Sequence, residues 1–588
     1  MKHSSRTFHL TVAAATTVVL AACAPGGQDS RTSRAVADQP VQPILLPESA
    51  PPPVDEATRS LPRPPVLEAY RQEADLSGVP ASASKAMEGV SLARRHAVAP
   101  GGIVMPPPVD RERYAHFDDN PLHRTLEQPV STFSIDVDTG AYANVRRILV
   151  EGRLPQADAV RVEEFINYFG YADPLPESRD TPFRATTEIG PSPWNPATRL
   201  LRIGIRAWDL PEADLPPANL VFLVDVSGSM QSPDKLPLLK QSLRLLAKRL
   251  DGDDRLGLVV YAGASGVALE PTAGDQQAKI FAAIDGLEAG GSTNGAAGIA
   301  LAYAQARQGF IEGGINRVIL ATDGDFNVGT VNHEALVNLI ERERASGVSL
   351  TTLGFGGGNY NDQLMEQLAD HGNGNHAYID SLLEAQKVLV DEMGATLHTV
   401  AKDVKIQVEF NPALVSEYRL VGYENRVLAR EDFSNDRVDA GEIGAGHSVV
   451  ALYELALVGE SGQRVAPLRY GPKQVQLAGN GNELGFLRLR FKRPDQTRSE
   501  LLEQPIRVAD VASRLDATSD DYRFAAAVAA FGQRLRGGKY LEGYGYDDIV
   551  QLAQGARGQD PQGARADLLR VVRLAGSLNH PPVVSAAR

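Results

Sequence analysis

Cysteine is nearly absent from this chain: among 588 residues only Cys23 carries a thiol. No intrachain disulfide can form. Basic charge is also in deficit, with 59 Lys and Arg against 73 Asp and Glu and a formal net charge of -14. That balance argues against a nucleic-acid surface, which normally needs a basic patch; it favours solubility and, weakly, cation binding. Long apolar runs are missing as well. Leu10 to Leu20 is mostly apolar but too short for an ordinary transmembrane helix, and no later segment is long and apolar enough to span. What remains is a globular composition, 43% hydrophobic and 22% charged. The chain is too long for one ordinary core, so several domains are expected.

The N-terminal segment reads as a targeting signal. Lys2, His3 and Arg6 precede the apolar stretch, which ends in Leu20-Ala21-Ala22-Cys23. Small residues before the cut are expected of a signal peptide. Leu-Ala-Ala-Cys resembles the bacterial lipobox, in which the Cys becomes the lipidated first residue. The resemblance implies a signal peptide over 1–22 and a lipid anchor on Cys23. Because Ala24 rather than Asp follows, it also implies an outer-membrane destination, facing the periplasm or the cell surface. Residues 23–113 are rich in Pro and Ala, with Pro51-Pro52-Pro53 and Pro106-Pro107-Pro108 and no hydrophobic period. They read as a disordered tether.

Three further segments are legible. Residues 114–216 read as an N-terminal α+β segment, with a strand at Ser131–Asp136, helices at Tyr142–Glu151 and Val162–Phe169, and a hairpin over Thr186–Trp208. Residues 217–398 alternate apolar strands with amphipathic helices. The strands are Leu220–Val224, Leu256–Tyr261, Val318–Ala321, Leu350–Leu353 and His376–Tyr378. The clearest helix is Lys235–Leu250, whose Leu236, Leu239, Leu243, Leu246 and Leu250 form one stripe; the last is Leu382–Met393. This alternation predicts an α/β fold: a doubly wound, mostly parallel, Rossmann-like sheet covered on both faces. Residues 399–588 read as a C-terminal β-rich module, with Val404, Ile406, Val408 and Phe410 alternating with polar residues, followed by helices at Asp520–Leu535, Tyr546–Gly555 and Ala564–Leu574.

Most catalytic signatures are missing. Gly354-Phe355-Gly356-Gly357-Gly358 has neither the Lys of a phosphate loop nor the G-x-G-x-x-G spacing before a helix, and reads as a flexible loop. His371 and His376 flank an Asn/Gly-rich stretch without Cys or a third ligand, which reads as a surface loop rather than a zinc site. Val137-Asp138-Thr139-Gly140-Ala141 looks like an aspartic-protease signature, but that chemistry needs two carboxylates sharing a proton, and no second Asp-Thr-Gly or Asp-Ser-Gly occurs. Asp136 and Asp138 read as solvated acids at a strand end.

The chemistry concentrates elsewhere. Leu220-Val221-Phe222-Leu223-Val224 runs into Asp225-Val226-Ser227-Gly228-Ser229, an apolar strand whose tip presents a carboxylate and two hydroxyls. Gly290-Gly291-Ser292-Thr293-Asn294 and Thr322-Asp323-Gly324 fall at the same sheet edge. Hard oxygen ligands of this kind suit a hard divalent cation such as Mg²⁺, which keeps waters and leaves a position open.

Asp225-x-Ser227-x-Ser229, Thr293 and Thr322-Asp323-Gly324 resemble the metal-ion-dependent adhesion site (MIDAS) of von Willebrand factor type A (VWA) domains. The resemblance implies Mg²⁺, with Mn²⁺ or Ca²⁺ as substitutes. It implies Ser227, Ser229 and Thr293 as direct ligands, and Asp225 and Asp323 as ligands mainly through water. A partner's Asp or Glu would fill the open position. Phe133-Ser134-Ile135-Asp136-Val137-Asp138-Thr139-Gly140 and Val162-Glu163-Glu164-Phe165-Ile166-Asn167-Tyr168-Phe169 resemble the bacterial YfbK-like lipoprotein family. The expectation is a lipid-anchored envelope protein that binds a protein partner and is not an enzyme. Two alternatives stand beside it: an envelope hydrolase using Asp138 or a metal-activated water, and a module whose ion only stabilises its loops.

Overall fold

The structure is a computed structural model that describes residues 111–211, 214–292, 295–324, 326, 333–470 and 481–579. The segment expected to be a signal peptide, Cys23, nearly all of the expected tether, and Thr293 lie outside the described residues.

In chain order the first part carries β1 (His123–Arg124), β2 (Val130–Ser134), α1 (Gly140–Val150), α2 (Val162–Asn167), β3 (Phe183–Pro191) and β4 (Arg199–Ala207). The central part follows with β5 (Ala218–Asp225), α3 (Leu236–Ala247), β6 (Arg255–Tyr261), β7 (Ser265–Ala273), α4 (Gln277–Asp285), α5 (Gly295–Gln308), β8 (Ile315–Thr322), α6 (His333–Ala345), β9 (Ser349–Phe355), α7 (Asp362–His371), β10 (His376–Ile379), α8 (Leu382–Gln386) and α9 (Met393–Leu397). The last part holds β11 (Thr399–Phe410), β12 (Val415–Val421), β13 (Ile443–Gly444), β14 (Ser448–Leu457), β15 (Glu483–Lys492), β16 (Ser499–Arg507), α10 (Asp520–Leu535), α11 (Tyr546–Gln554) and α12 (Ala564–Asn579).

The central part is the expected doubly wound sheet. Its six strands run β10-β9-β8-β5-β6-β7. All neighbours are parallel except β6 and β7. Strand β5 is buried along its whole length, as its unbroken apolar run requires. One face packs on the Leu236, Leu239, Leu243 and Leu246 stripe of α3; the other packs on Ile299, Ala302 and Tyr303 of α5 and Leu336 and Ile340 of α6. The chain leaves β5 to one side through β6 and returns to its other side as β8. The crevice beyond the carboxyl ends of β5 and β8 is therefore the switch point where open α/β sheets bind ligands.

Three local expectations change. Strand β7 was not legible, because Gly266 and Pro271 interrupt its pattern; Pro is tolerated here because β7 is an edge strand. The helix expected over Leu382–Met393 is broken by a π-helical turn at Lys387–Asp391 between α8 and α9. The 354–358 loop is closely packed at Gly356 and Gly357: a Cβ on Gly356 would overlap the side chain of Lys235, and one on Gly357 that of Arg147.

The segments flanking the central sheet share two sheets with each other. One runs β1-β12-β14-β4-β3, and the other β13-β11-β15-β16 with β2 also paired to β11. Ile203 and Ile205 of the first meet Ile406, Leu487 and Leu489 of the second in one core, a sheet-on-sheet sandwich. Helices α1 and α2 pack with α10, α11 and α12 in another core. The sequence reading treats 114–216 and 399–588 as separate modules, whereas their strands and helices interleave around the central part.

Candidate metal centre

Strand β5 delivers Asp225 to the crevice at zero exposure. A buried carboxylate must be satisfied, and this one is. Its Oδ1 accepts the backbone N–H of Ser227 at 2.8 Å. Its Oδ2 accepts the hydroxyls of Tyr261 at 3.1 Å and Thr322 at 2.9 Å. Burial pushes its pKa up, and the Ser227 bond opposes that shift.

The Ser227 loop is stitched to the Gly290–Gly291 loop by two backbone bonds. Gly290 N–H donates to Val226 at 2.7 Å, and Gly228 N–H to Gly291 at 3.1 Å. Gly291 has φ +87, which a side-chain-bearing residue rarely adopts. The chain two residues before Thr293 is thereby held against the Asp225 loop. Ser227 is buried and Ser229 exposed, with their Oγ atoms 3.0 Å apart. The two hydroxyls thus converge from a single 3-10 turn at Gly228–Gln231.

Asp323 follows the end of β8 and is buried. Its Oδ2 accepts from Lys235 Nζ at 2.9 Å. Gly324 turns the chain away at φ +87 against the N-terminal end of α7. The structure brings Asp225, Ser227, Ser229 and Asp323 to one sheet edge.

Sequence reasoning missed Lys235 and Tyr261 as parts of this centre, and gave Thr322 no role beyond its place in the Thr322-Asp323-Gly324 motif. Lys235 did leave a signal. It is the N-cap of α3, where Ser, Thr, Asp or Asn is favoured and a cation opposes the helix dipole. A lysine there reads as one that is reaching an anion.

The donor set fits a hard divalent cation. Among the described residues no three His, Cys, Asp or Glu side chains gather as metal ligands, so a cation here would rely on hydroxyls beside two carboxylates, as Mg²⁺ allows. The Lys235 ammonium on Asp323 already stands as a positive charge there.

The other candidate side chains are engaged by partners within the fold. Asp136 and Asp138 are buried rather than solvated. Arg426 Nε donates to Asp136 at 2.9 Å, and the backbone N–H of His376 donates to Asp138 at 2.8 Å. Burial, then the nearby Asp136 and Glu164, push the Asp138 pKa up. Glu164 accepts from the first turn of α1 at Ala141, 2.7 Å, and pairs with buried Arg161. Glu163 accepts Tyr423 N–H at 2.9 Å. His376 is buried, with Tyr360 and Thr352 hydroxyls on its two ring nitrogens. His371 pairs with Glu341.

Three family models match the chain: "von Willebrand factor" over residues 108–202, "von Willebrand factor type A domain" over 219–392, and "Uncharacterized protein YfbK, C-terminal" over 395–578. The chain is 50% identical over 470 residues to "Uncharacterized protein YfbK" of Escherichia coli (strain K12), covering 79% of this chain and 81% of that one. It is 31% identical over 189 residues to "Uncharacterized protein sll0103" of Synechocystis sp., covering 32% and 43%. Among solved structures, "von Willebrand factor type A from Catenulispora acidiphila" aligns with a TM-score of 0.38 at 15% identity, over 69% of this chain and 91% of that one.

Proposed function

Since the chain belongs to the YfbK family and carries a von Willebrand factor type A domain, we propose that it is an envelope lipoprotein that captures a carboxylate of a protein partner through a divalent cation. One observation carries this reading: the Ser227 and Ser229 hydroxyls converge within 3.0 Å beside two buried carboxylates at the switch point of the sheet.

Ser227, Ser229 and Thr293 would hold the cation directly. Asp225 and Asp323 would act mainly through water. A bound Mg²⁺ supplies an electrophilic position that an outside Asp or Glu can occupy. The protein's own contribution is rigidity. Tyr261, Thr322 and the Ser227 N–H fix the Asp225 carboxylate, so little order is lost when the ion arrives.

The reading is of a binding protein rather than an enzyme. A hydrolase at Asp138 is disfavoured by that carboxylate's surroundings, since it accepts a backbone N–H and faces Arg426. A lipid on Cys23 would hold the protein at the outer membrane, with the tether ending before residue 111, since Glu112 is buried and Arg113 is bridged to Asn361.

The test is a pull-down from envelope extract with the full chain, in Mg²⁺ against EDTA, with Asp225→Asn as control. Capture that needs both Mg²⁺ and Asp225 supports the proposal. Capture indifferent to both removes it.

A further inference from the structure

Lys235 lies 88 residues before Asp323 in the chain, yet its ammonium rests on that carboxylate at 2.9 Å. Three elements place it there. The N-cap position of α3 launches the side chain. The end of β8 supplies Asp323. The stem runs along Gly356, at φ +60, where any Cβ would overlap its Cγ and Cε. A buried lysine at the positive end of a helix is unfavourable unless the anion it meets repays that position.

Formal charges give the consequence. Asp225 and Asp323 contribute two negative charges and Lys235 one positive. A divalent ion held by the two carboxylates alone would be neutralised. With Lys235 present, the same ion keeps about one net positive charge. A neutral centre has little preference for an anion, whereas a centre with excess positive charge attracts one.

We infer that Lys235 is a positioning and specificity-determining residue of the cation site, which weakens hold on the metal and keeps the bound metal positive enough to select a carboxylate. The inference rests on the metal reading above and specifies the ligand as anionic. Lys235 touches Asp323 and acts on the ligand through it.

The test uses the full chain loaded with Mn²⁺, with acetate as the carboxylate probe. Mn²⁺ affinity is read by electron paramagnetic resonance, and acetate binding by the fall in water-proton relaxation as a metal-bound water is displaced. Lys235→Met removes the charge, while Lys235→Gln removes it but keeps a hydrogen-bond donor for Asp323. Both should bind Mn²⁺ roughly tenfold tighter and acetate roughly tenfold more weakly, the scale of a single nearby charge. Circular dichroism checks that each is folded. Unchanged or weaker Mn²⁺ binding in the neutral variants overturns the inference and leaves the metal reading standing. A wild-type pattern in Lys235→Gln alone overturns it too, by assigning the effect to the hydrogen bond. Absence of Mn²⁺ binding in all three proteins overturns the metal reading and this inference with it.

Discussion

The backbone N–H of His376 donates to the carboxylate of Asp138 at 2.8 Å, although the two residues are 238 positions apart. The Asp-Thr-Gly stretch that resembles a catalytic signature is thus a joint between the start of α1 and the edge strand β10. Replacing Asp138 with Ala leaves a buried N–H without its acceptor and should cost about 1–3 kcal/mol, with Asp138→Asn milder because it retains an acceptor. Urea denaturation of both variants measures this; an Ala variant as stable as wild type would contradict the structural role.

Ser229 separates metal binding from folding. It is exposed, so Ser229→Ala should change stability in EDTA by no more than about 0.5 kcal/mol. Mg²⁺ should raise the melting temperature of the wild type, and that rise should shrink or vanish in the variant. Melting curves with and without Mg²⁺ decide it, and a full Mg²⁺ shift in Ser229→Ala would remove this residue from the ligand set.

Gly324 is required by backbone geometry rather than by flexibility. It has φ +87, and a Cβ there would overlap Asn361 N and approach Tyr360 Cα. Gly324→Ala should lose about 2 kcal/mol or more from strain and overlap together. It should also shift Asp323 and weaken metal binding. Calorimetric melting and Mn²⁺ titration of the same variant report the two effects separately.

Glu366 makes stability depend on pH. It is buried, accepts from Asn425 at 2.7 Å, and lies 3.5 Å from Arg161 and 3.4 Å from Arg426. Burial pushes its pKa up to about 7 from 4.5, and the two arginines oppose the rise. Between those values the folded protein holds a proton that the unfolded chain has released. Stability contributed by this group therefore falls as pH rises through that window. The difference between wild type and Glu366→Gln should change by up to about 1.4 kcal/mol per pH unit there. Urea midpoints from pH 4.5 to 8 measure the slope, and parallel curves would contradict it.

Much of the central sheet is legible because its signals are local. An apolar run such as Leu220–Val224 must be buried on both faces, and the α3 leucine stripe announces its own packing face. The D-x-S-x-S loop, the Gly290–Gly291 turn and Asp323 could be assigned to one sheet edge because each follows a strand or precedes a helix. Strand β7 was hidden by Gly266 and Pro271, which weaken the alternation that marks a strand. Tyr261 was hidden because apolar packing alone accounts for its place at the end of the Leu256–Tyr261 run.

The amino-acid sequence alone determined the doubly wound sheet and that Asp225, Ser227, Ser229 and Asp323 fall at one edge of it, because strand periodicity and loop chemistry are written in neighbouring residues. Only the tertiary structure decided that β4 pairs with β14 and β2 with β11, that Asp138 joins His376, and that Lys235 rests on Asp323. Each of those contacts joins distant parts of the chain, and no local period encodes which distant backbone or charge a residue will meet. The character of the site changes with that contact, because one of its two carboxylates, Asp323, already pairs with a lysine.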